Sequence, residues 1–432
     1  MKVLGNVHLS AKGALSLLSA PIILAACSSS SASTASPTSN QPVTITLSGW
    51  TSSPVEAQLL TKDLAGFSKK YPYIHVNYRP ISGSGSNYES VLRTRFVAGD
   101  APDVIYVNNG GESSTFMANN DLIPLNSYIK STNFSIKDFY SSSLSLFEKG
   151  GKIYGIPKDQ SPLALFYNTA MFAKAGITHP PTTWAQLAAD AKLLTNPSQH
   201  VYGLINSVQE PRWAEFLYQA GGGVMNSSMT KFTLTSPASV KGYTYFVDLY
   251  KNGYATVPTT VGATWGGQAF GMGKAAMVLS GNWLIPFLNQ TYPSIHFNTA
   301  VLPSGPANNL SLTFPVAYGI TKDSKHPNAA WKLVSYLTSQ SGMTRWMKLG
   351  LALPTRQSLV SLPYYKQHPV TQGLLSQLPH SIAWTFPPGF VQFSSTTMVD
   401  QTTLAIENKE TPKQALINMQ NGGQAILSSN NG

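Results

Sequence analysis

The sequence predicts an α/β protein of two lobes, with a parallel sheet near its start. The chain has 432 residues, of which 42% are hydrophobic, so it can bury substantial cores but is long for one domain. Near its start, strand patterns at Val43–Leu47, Tyr73–Tyr78 and Pro102–Val107 alternate with amphipathic helix patterns at 57–71 and 88–98. Strands that alternate with helices favour a parallel sheet.

A central stretch has the order strand, crossing, strand, helix. Gly151–Pro157 predicts a strand that ends at the proline, which has no backbone donor, and Leu163–Tyr167 is a short apolar run typical of a buried strand. Met171–Ala175 predicts a short helix stopped by a glycine. Thr183 with Gln186 three residues later predicts a capping box. The helix that follows carries an apolar face formed by Trp184, Leu187, Ala191 and Leu194.

The composition gives a polar but weakly charged surface. Only 11% of the residues are charged, and the formal net charge is +11. A basic excess is compatible with nucleic acid as a partner, but the chain has no run of Lys or Arg and no recognition motif, so we expect no nucleic acid. Attraction to an anionic membrane or wall, or tolerance of an acidic medium through few carboxylates, explains the charge better.

The first residues have the organisation of an export signal. Met1–Gly13 is short and mildly basic, and Ala14–Leu24 is apolar but short for a permanent membrane span. The tetrad that ends at Cys27 resembles a bacterial lipobox, although a plain signal peptide with an incidental cysteine is the alternative. Cys27 is the only cysteine, so it cannot form an internal disulfide. Residues 28–42 are rich in Ser, Thr and Pro and predict a flexible linker.

Several motifs recur in an order known from one family. They are "GKIYGIP" from Gly151, "ALFYN" from Ala164, "AGI" from Ala175 and "PPTTW" from Pro180. From about Val43 onward the chain resembles the extracellular solute-binding proteins of family 1, the sugar receptors of ABC importers. The resemblance implies a two-lobed α/β periplasmic-binding-protein-like fold of type II, in which each lobe is a mixed, mainly parallel sheet flanked by helices, with three hinge crossings. The implied bounds are 1–27 for the signal peptide, 43–157 and 319–352 for lobe 1, 163–315 and 357–432 for lobe 2, and 158–162, 316–318 and 353–356 for the hinge.

In the first lobe, the candidate ligand contacts follow the ends of predicted strands. Ligands of open α/β sheets bind beyond the carboxyl ends of the strands. Trp50 follows the first strand, and Asn108, Asn109 and Glu112 follow the third. Each of these residues is equally suited to a turn or a helix cap, so this pattern alone leaves both roles open.

In the rest of the chain, the resemblance supplies most of the candidates. Glu210 and Trp213 lie in a segment that carries sugar contacts in the family, and a carboxylate beside an aromatic suits sugar hydroxyls and C–H faces. The alternative is that Pro211 starts a helix and Glu210 favours its dipole. For Trp265 core packing is the alternative, and for Arg356 a helix cap or an ion pair. The remaining candidates are Asp159, Asn282, Trp283, Tyr318 and Trp384.

The function implied is capture of a sugar, most readily an oligosaccharide, by lobe closure and its delivery to an ABC permease. We expect a monomer without cofactor or metal, anchored by lipid at Cys27 to the outer face of the cytoplasmic membrane. A receptor for ferric ion or another small solute on the same fold is the nearest alternative. A glycosidase is less compatible, because it requires two opposed carboxylates and only Asp159 with Glu210 suggests such a pair.

The lipobox interpretation predicts that Cys27→Ser releases the protein from the membrane without changing its affinity for ligand, because the linker separates the anchor from the fold. Membrane fractionation and binding measurements on the two proteins check this. Unchanged membrane retention of Cys27→Ser would contradict the lipoprotein interpretation.

Overall fold

Two five-stranded sheets, each flanked by helices, form the framework of the protein. The computed structural model describes residues 41–50, 54–81, 86–348, 350 and 352–430. The predicted signal peptide, Cys27 and most of the linker lie outside the described residues. Within the described residues, no helix combines the length and the apolar character needed to cross a membrane.

The first part of the chain builds most of the first sheet and its helices, with strand and helix bounds close to those that the sequence patterns predict. Its elements are β1 (Val43–Ser48), α1 (Pro54–Lys70), β2 (Ile74–Tyr78), α2 (Ser86–Ala98), β3 (Val104–Asn108), α3 (Gly111–Ala118), α4 (Asn126–Ser131), α5 (Ser141–Leu144), β4 (Glu148–Lys149), β5 (Lys152–Ile153) and β6 (Gly155–Asp159).

The middle of the chain builds the second sheet. Its elements are β7 (Ala164–Asn168), α6 (Thr169–Lys174), α7 (Trp184–Leu194), β8 (Tyr202–Ile205), α8 (Ala214–Gln219), α9 (Pro237–Lys251), β9 (Ala255–Thr256), α10 (Gly266–Gly271), β10 (Ala275–Ser280), α11 (Leu284–Thr291), β11 (Phe297–Ala300) and β12 (Ser311–Thr313).

The chain then returns to the first sheet before it packs its last helices against the second. The returning elements are β13 (Val316–Ile320), α12 (Pro327–Leu337) and α13 (Gln340–Met347). The last ones are α14 (Pro363–Gln367), α15 (Gln372–Gln377), β14 (Ser381–Ala383), α16 (Phe390–Phe393), α17 (Val399–Ile406) and α18 (Pro412–Asn430).

The two sheets have the same internal plan. The first has the order β2-β1-β3-β13-β6 and the second the order β11-β7-β10-β8-β9. In each, three strands run parallel, and an antiparallel strand follows on one side: β13 beside β3 in the first sheet, and β7 beside β10 in the second. The prediction of a two-lobed α/β fold with mixed, mainly parallel sheets is confirmed.

Along the strands of the second sheet, successive side chains pack into two separate apolar cores. In β10, Val278 belongs to the apolar cluster that also covers the first sheet, whereas Met277 and Leu279 belong to the cluster on the opposite face. In β7, Phe166 and Leu165 divide in the same way. Because successive side chains of a strand point to opposite faces, a strand buried on both sides is apolar throughout.

Helix α7 shows how far the local pattern decides the structure. The Thr183 hydroxyl accepts a hydrogen bond from the Gln186 backbone N–H, as the capping box predicts, and Trp184, Leu187 and Ala191 are buried. The Gln186 side chain, however, accepts from the backbone and hydroxyl of Thr182 instead of the Thr183 N–H. The cap is therefore confirmed, and its reciprocal half is shifted by one residue.

Three segments carry the chain past the space between the sheets. Residues 160–163 join β6 to β7, residues 314–315 join β12 to β13, and Leu353 pairs with Gln160 as the chain passes a third time. Lys158, Asp159 and residues 316–318, which the resemblance assigned to the hinge, lie inside strands of the first sheet. The exact lobe and hinge bounds stay a prediction.

Candidate functional site

A cavity of about 400 Å³ lies where the carboxyl ends of strands from both sheets meet. Trp50 and Asn108 reach it from β1 and β3, and Gln209 and Trp283 reach it from β8 and β10. We call this space the cleft cavity. Its lining residues are Trp50, Glu56, Asn108, Lys158, Asp159, Ser161, Gln209, Pro211, Arg212, Trp265, Trp283, Phe287, Phe314, Val316, Trp346 and Ala352.

Aromatic rings form much of the wall, including four of the chain's eight tryptophans. On the second-lobe side, two glycines make room for the indoles. A Cβ atom at Gly281 would lie 2.3 Å from the Trp283 ring, and one at Gly267 would lie 2.2 Å from the Trp265 ring. Any larger residue at these positions would displace the rings, so the two glycines let the indoles approach the backbone this closely.

On the first-lobe side, Trp50 is held by two buried tyrosines. Its ring meets Tyr88 and Tyr106 edge to face, with centroids 4.9 Å and 5.2 Å apart. The Tyr88 hydroxyl bonds the backbone of Tyr106 and the carbonyl of Ser48, so it ties the ends of β1 and β3 together. Trp50 remains half-buried and therefore offers a face to the cavity.

A compact charged group lies at the first crossing. Lys158 and Asp159 form an ion pair, and the Trp346 indole N–H donates to Asp159 Oδ2 at 2.9 Å. The Lys158 ammonium also lies 4.2 Å from the Trp346 ring centroid and 4.7 Å from that of Tyr106. The lysine charge is thus compensated at the cavity wall.

The turn after β8 divides its side chains between the cavity and the core. Residues Glu210–Arg212 form one turn of 3₁₀ helix. Gln209 and Arg212 line the cleft cavity, whereas Glu210 and Trp213 are both 0% exposed. The Trp213 ring packs against Tyr243, with ring centroids 5.1 Å apart. The turn therefore presents an amide and a guanidinium to the cavity.

Three ionisable side chains lie close together at this turn: Glu210 and Arg212 in the turn and Glu215 in the helix that follows. Glu210 accepts a hydrogen bond from the Trp384 indole N–H at 2.7 Å, and its other oxygen has no hydrogen-bond partner in the described chain. Burial raises the pKa of Glu210 to about 8, although Trp384 and Arg212 act to lower it. Burial likewise raises the pKa of Glu215 to about 8 and lowers that of Arg212. Burial is the largest cause for both glutamates, so the fold favours their protonated forms although Arg212 lies near them.

The structure brings five of the predicted contact residues to the cleft cavity. They are Trp50, Asn108, Asp159, Trp265 and Trp283. Four of them stand at or just beyond the end of a strand, and Trp265 precedes α10. Their role as ligand contacts stays a prediction.

Four other predicted contacts lie behind the cavity wall, where they hold its backbone and core. Glu112 accepts from the Asn108 backbone N–H at 3.0 Å, and Asn109 donates to the Thr313 carbonyl. Asn282 exchanges two hydrogen bonds with the Ser161 hydroxyl, which itself lines the cavity. The Tyr318 ring packs edge-on against the Tyr106 ring.

The remaining four are buried and do not line the cavity. Glu210 and Trp213 occupy the second-lobe core described above. Arg356 forms an ion pair with Asp138 at 2.9 Å, the alternative that the sequence left open. Trp384 is buried against Phe386 and the turn at Gly110, where an added Cβ would lie 2.6 Å from the indole. For these residues the placement favours a structural role.

Sequence reasoning missed most of the polar lining and three of its rings. Phe287 had a local signal, because it lies four residues after Trp283 and shares its helix face. Gln209 and Arg212 lie at the turn after β8, and the sequence does not show the direction in which their side chains point. Lys158, Ser161 and Val316 had the signal of the hinge bounds that the resemblance implied. The others gave none: Glu56, Pro211, Phe314, Trp346 and Ala352.

A metal centre finds no support in the described residues, which contain no group of three or more His, Cys, Asp or Glu able to hold an ion. Among the residues that the structure describes, no tyrosine and no histidine lines the cleft cavity. The arrangement is instead that of a binding cleft, with apolar ring faces and a few fixed polar groups between two lobes.

Comparison with known proteins agrees with this class. Residues 51–344 match the family model of bacterial extracellular solute-binding proteins, and the chain belongs to this family. It is 25% identical to a putative binding protein of Brucella abortus over 60% of this chain and 64% of that protein, so the match spans under two thirds of the relative's length. It is 23% identical to the multiple sugar-binding protein of Streptococcus mutans, over 75% and 77% of the two chains.

A solved structure has the same fold. The ABC substrate-binding protein of Listeria monocytogenes in complex with cycloalternan superimposes with a TM-score of 0.83, at 24% identity, over 90% of this chain and 100% of that one. Membership of this family and this superposition account for the two-lobed fold.

The buried glutamates predict a pH dependence of stability. Their pKa values of about 8 in the fold exceed those of exposed glutamates near 4.5, so the folded state holds more protons between these values. The stabilisation is therefore complete below about pH 4.5 and is lost as the pH rises through 8. We expect a higher melting temperature at pH 5.5 than at pH 8, and a smaller difference in Glu215→Gln.

Exposed Glu148 supplies the matched control, because Glu148→Gln removes the same charge from the surface. Differential scanning fluorimetry of the three proteins across this pH range measures the effect. If the melting temperature of Glu215→Gln falls with pH as steeply as that of the wild type and of Glu148→Gln, the pH dependence does not come from the buried glutamates.

Proposed function

We propose that this protein is an extracellular carbohydrate receptor that captures a sugar in the cleft cavity and delivers it to an ABC permease. The observation that carries the proposal is the aromatic wall. Trp50 faces the cavity from one lobe, and Trp265 and Trp283 face it from the other. Sugars present C–H faces that pack on such rings and hydroxyls that bind to amides and carboxylates.

The polar groups between the rings suit a neutral ligand. Asn108, Gln209 and Ser161 offer uncharged donors and acceptors, and Asp159 offers a charged acceptor. Lys158 is compensated by Asp159, so its ammonium is not free to hold a strong anion. Arg212 is the other cation in the described wall, and most of the remaining polar groups are uncharged, so these contacts favour hydroxyl-rich ligands.

The names of related proteins support the same class. The Streptococcus mutans relative is a multiple sugar-binding protein, and the Listeria monocytogenes neighbour was solved with cycloalternan. A further relative in Bacillus subtilis, 22% identical over 70% of this chain, is an arabinooligosaccharide-binding protein. These ligands belong to those proteins, and for this chain they define the panel to be tested.

The mechanism follows from contacts that two lobes share. A ligand held by Trp50 on one side and Trp283 on the other has more contacts when the lobes approach each other than when they are apart. Because a ligand shifts an equilibrium by its differential affinity for the two states, sugar binding favours the closed form. Hinge bending at the three crossings would carry this motion, and the permease would recognise the closed form.

Catalysis finds little support in the cleft. A glycosidase needs two carboxyl groups on opposite sides of the bond it cleaves. Of the pair that the sequence suggests, Glu210 is buried behind the wall with Trp384, and only Asp159 lines the cavity. Glu56 is a second carboxylate in the cavity wall. A pair formed by Glu56 and Asp159 does not suit this role, because Asp159 already binds the Lys158 ammonium and the Trp346 indole N–H. We therefore propose binding without turnover.

The compartment and anchor remain part of the proposal. Membership of an extracellular family agrees with export, and Cys27 would carry the lipid that tethers the monomer to the outer face of the cytoplasmic membrane. The linker that follows would let the folded part reach the permease. No nucleic acid and no cofactor enter this scheme.

Calorimetry on a sugar panel tests the proposal, with two tryptophan variants of the second lobe as a matched pair. Trp283→Ala should lose a ring contact worth about 1–3 kcal/mol, roughly a 5- to 150-fold weaker affinity, with little loss of stability. Trp213→Ala should lose about 3–5 kcal/mol of folding stability through a core cavity and keep its affinity where it folds.

The panel contains malto-, manno- and arabino-oligosaccharides, with ferric ion and inorganic phosphate for the alternative receptors. Chromatography of the same samples shows whether any sugar is cleaved. Tight binding of iron or phosphate in place of sugars would overturn the proposal, and so would sugar cleavage by the wild type. Full sugar affinity in Trp283→Ala would remove that ring from the site.

A further inference from the structure

A basic and aromatic surface lies where the chain enters the fold. Strand β1 begins at Val43, and the Val43 backbone N–H donates to the Tyr73 carbonyl at 2.9 Å. Tyr73 lies just after the last residue of α1, so the end of this helix lies beside the point where the linker joins the fold. We call this surface the entry patch, and it comprises Lys69, Lys70, Tyr71, Tyr73 and Lys332.

Cations and rings are interleaved in the entry patch. The Lys332 ammonium lies 5.0 Å from the Tyr73 ring centroid and 5.6 Å from that of Tyr71, and it donates to the Tyr73 hydroxyl at 2.6 Å. The Lys70 ammonium lies 5.5 Å from the Tyr71 ring centroid. Both rings are half-buried, and Lys69 and Lys70 are exposed. Aromatic rings attract a cation without neutralising its charge, so the patch keeps its positive charge.

No carboxylate compensates this charge within the part of the chain that the structure describes. Lys69, Lys70 and Lys332 form no ion pair there. The acidic residues of α1 lie elsewhere, since Glu56 lines the cleft cavity and Asp63 is buried in an ion pair.

The end of α1 explains only part of the patch. A helix dipole favours cations in the last turn, which suits Lys69 and Lys70. It does not explain Lys332, which comes from the middle of α12, a helix without Asp or Glu. Two helices therefore bring their lysines to one surface, and the formal net charge of +11 has found no other use in the proposed function.

The chain also fixes how far this surface lies from the proposed anchor. Residues 28–42 separate Cys27 from β1. A chain of this length reaches about 50 Å when fully extended, and roughly 20 Å as a flexible coil. The entry patch is thus the part of the fold that a lipid at Cys27 would hold nearest to the membrane.

We propose that the entry patch binds the anionic headgroups of the membrane to which the proposed lipid anchor tethers the protein. The inference uses the proposed anchor for its location and does not depend on sugar binding. Lysines are attracted to an anionic lipid surface, and tyrosine rings suit the boundary between water and acyl chains. Because the patch lies at the amino end of β1 and the cleft cavity beyond its carboxyl end, the docked receptor keeps its cleft turned away from the membrane.

Co-sedimentation with lipid vesicles tests the proposal. The chain from Ser28 onward lacks the signal peptide and the anchor and retains the compact unit Pro42–Gly432. The vesicles contain phosphatidylcholine, alone or with about one third phosphatidylglycerol, at low and at high salt. The patch variant is Lys69→Gln with Lys70→Gln.

A matched control removes two charges from another surface. Lys192 and Lys251 are exposed in the last turns of second-lobe helices α7 and α9, so the control variant is Lys192→Gln with Lys251→Gln. Circular dichroism establishes that each variant is folded, and calorimetry with the sugar panel is run on all three proteins.

We expect the wild type to bind the phosphatidylglycerol vesicles at low salt, to dissociate at high salt, and not to bind phosphatidylcholine alone. Each lysine near an anionic surface contributes about a factor of 5. The patch variant should therefore bind at least about 10-fold more weakly, and the control within about 3-fold of the wild type. Sugar affinity should be the same in all three proteins.

Equal weakening of the patch and control variants would assign the attraction to net charge and refute the patch. Wild-type binding to soluble polyglutamate, without binding to the phosphatidylglycerol vesicles, would also refute it. If no sugar binds any of the three proteins while the vesicle results are as expected, the proposed function fails and the patch stands.

Discussion

The pairing of β13 with β3 is the interaction on which the rest of the structure depends. After building the second lobe, the chain returns to the centre of the first sheet, where β13 lies antiparallel to β3 with Tyr318 opposite Tyr106. Strand β13 is buried along its whole length, so both its backbone hydrogen bonds and the packing of its side chains depend on this register. A slip of one residue would turn every side chain to the opposite face of the sheet.

Tyr106 connects this register to the cleft. Its ring packs against Tyr318 at 5.3 Å between centroids, carries Trp50 at 5.2 Å, and lies under the Lys158 ammonium at 4.7 Å. The floor of the cleft cavity on the first-lobe side is therefore set by one strand pairing. On the second-lobe side the wall is set by β10 and by Gly281, which leaves room for the Trp283 ring. The two walls meet because the chain crosses between the sheets repeatedly.

Much of the fold could be predicted from the sequence, because its signals are local. Strands β1, β3 and β7 and helix α7 follow from alternation, turn residues and the Thr183 cap. The part of the site that follows strand ends, such as Trp283 after β10, could be predicted for the same reason. In an open α/β sheet the ligand cleft lies beyond the carboxyl ends of the strands, so a residue that follows a strand lies at the cleft.

The rest could not be predicted, because it depends on contacts between distant residues or on the direction of a side chain in a short turn. Arg356 meets Asp138 across 218 positions, and Trp384 meets Glu210 across 174. No periodicity assigns Glu210 to the core and Arg212 to the cavity, since both belong to one 3₁₀ turn. The outcome is physically consistent: a carboxylate that enters the core there has its pKa raised and takes an indole N–H as partner.

A crystal structure with the tightest-binding oligosaccharide tests most directly the claim that one ligand is held between two lobes. The account predicts a sugar ring packed on Trp283, with the same molecule in contact with Trp50 or Asn108 from the first lobe. A sugar bound outside the cleft cavity, or one that touches neither Trp50 nor Asn108 while the lobes stay apart, would contradict it.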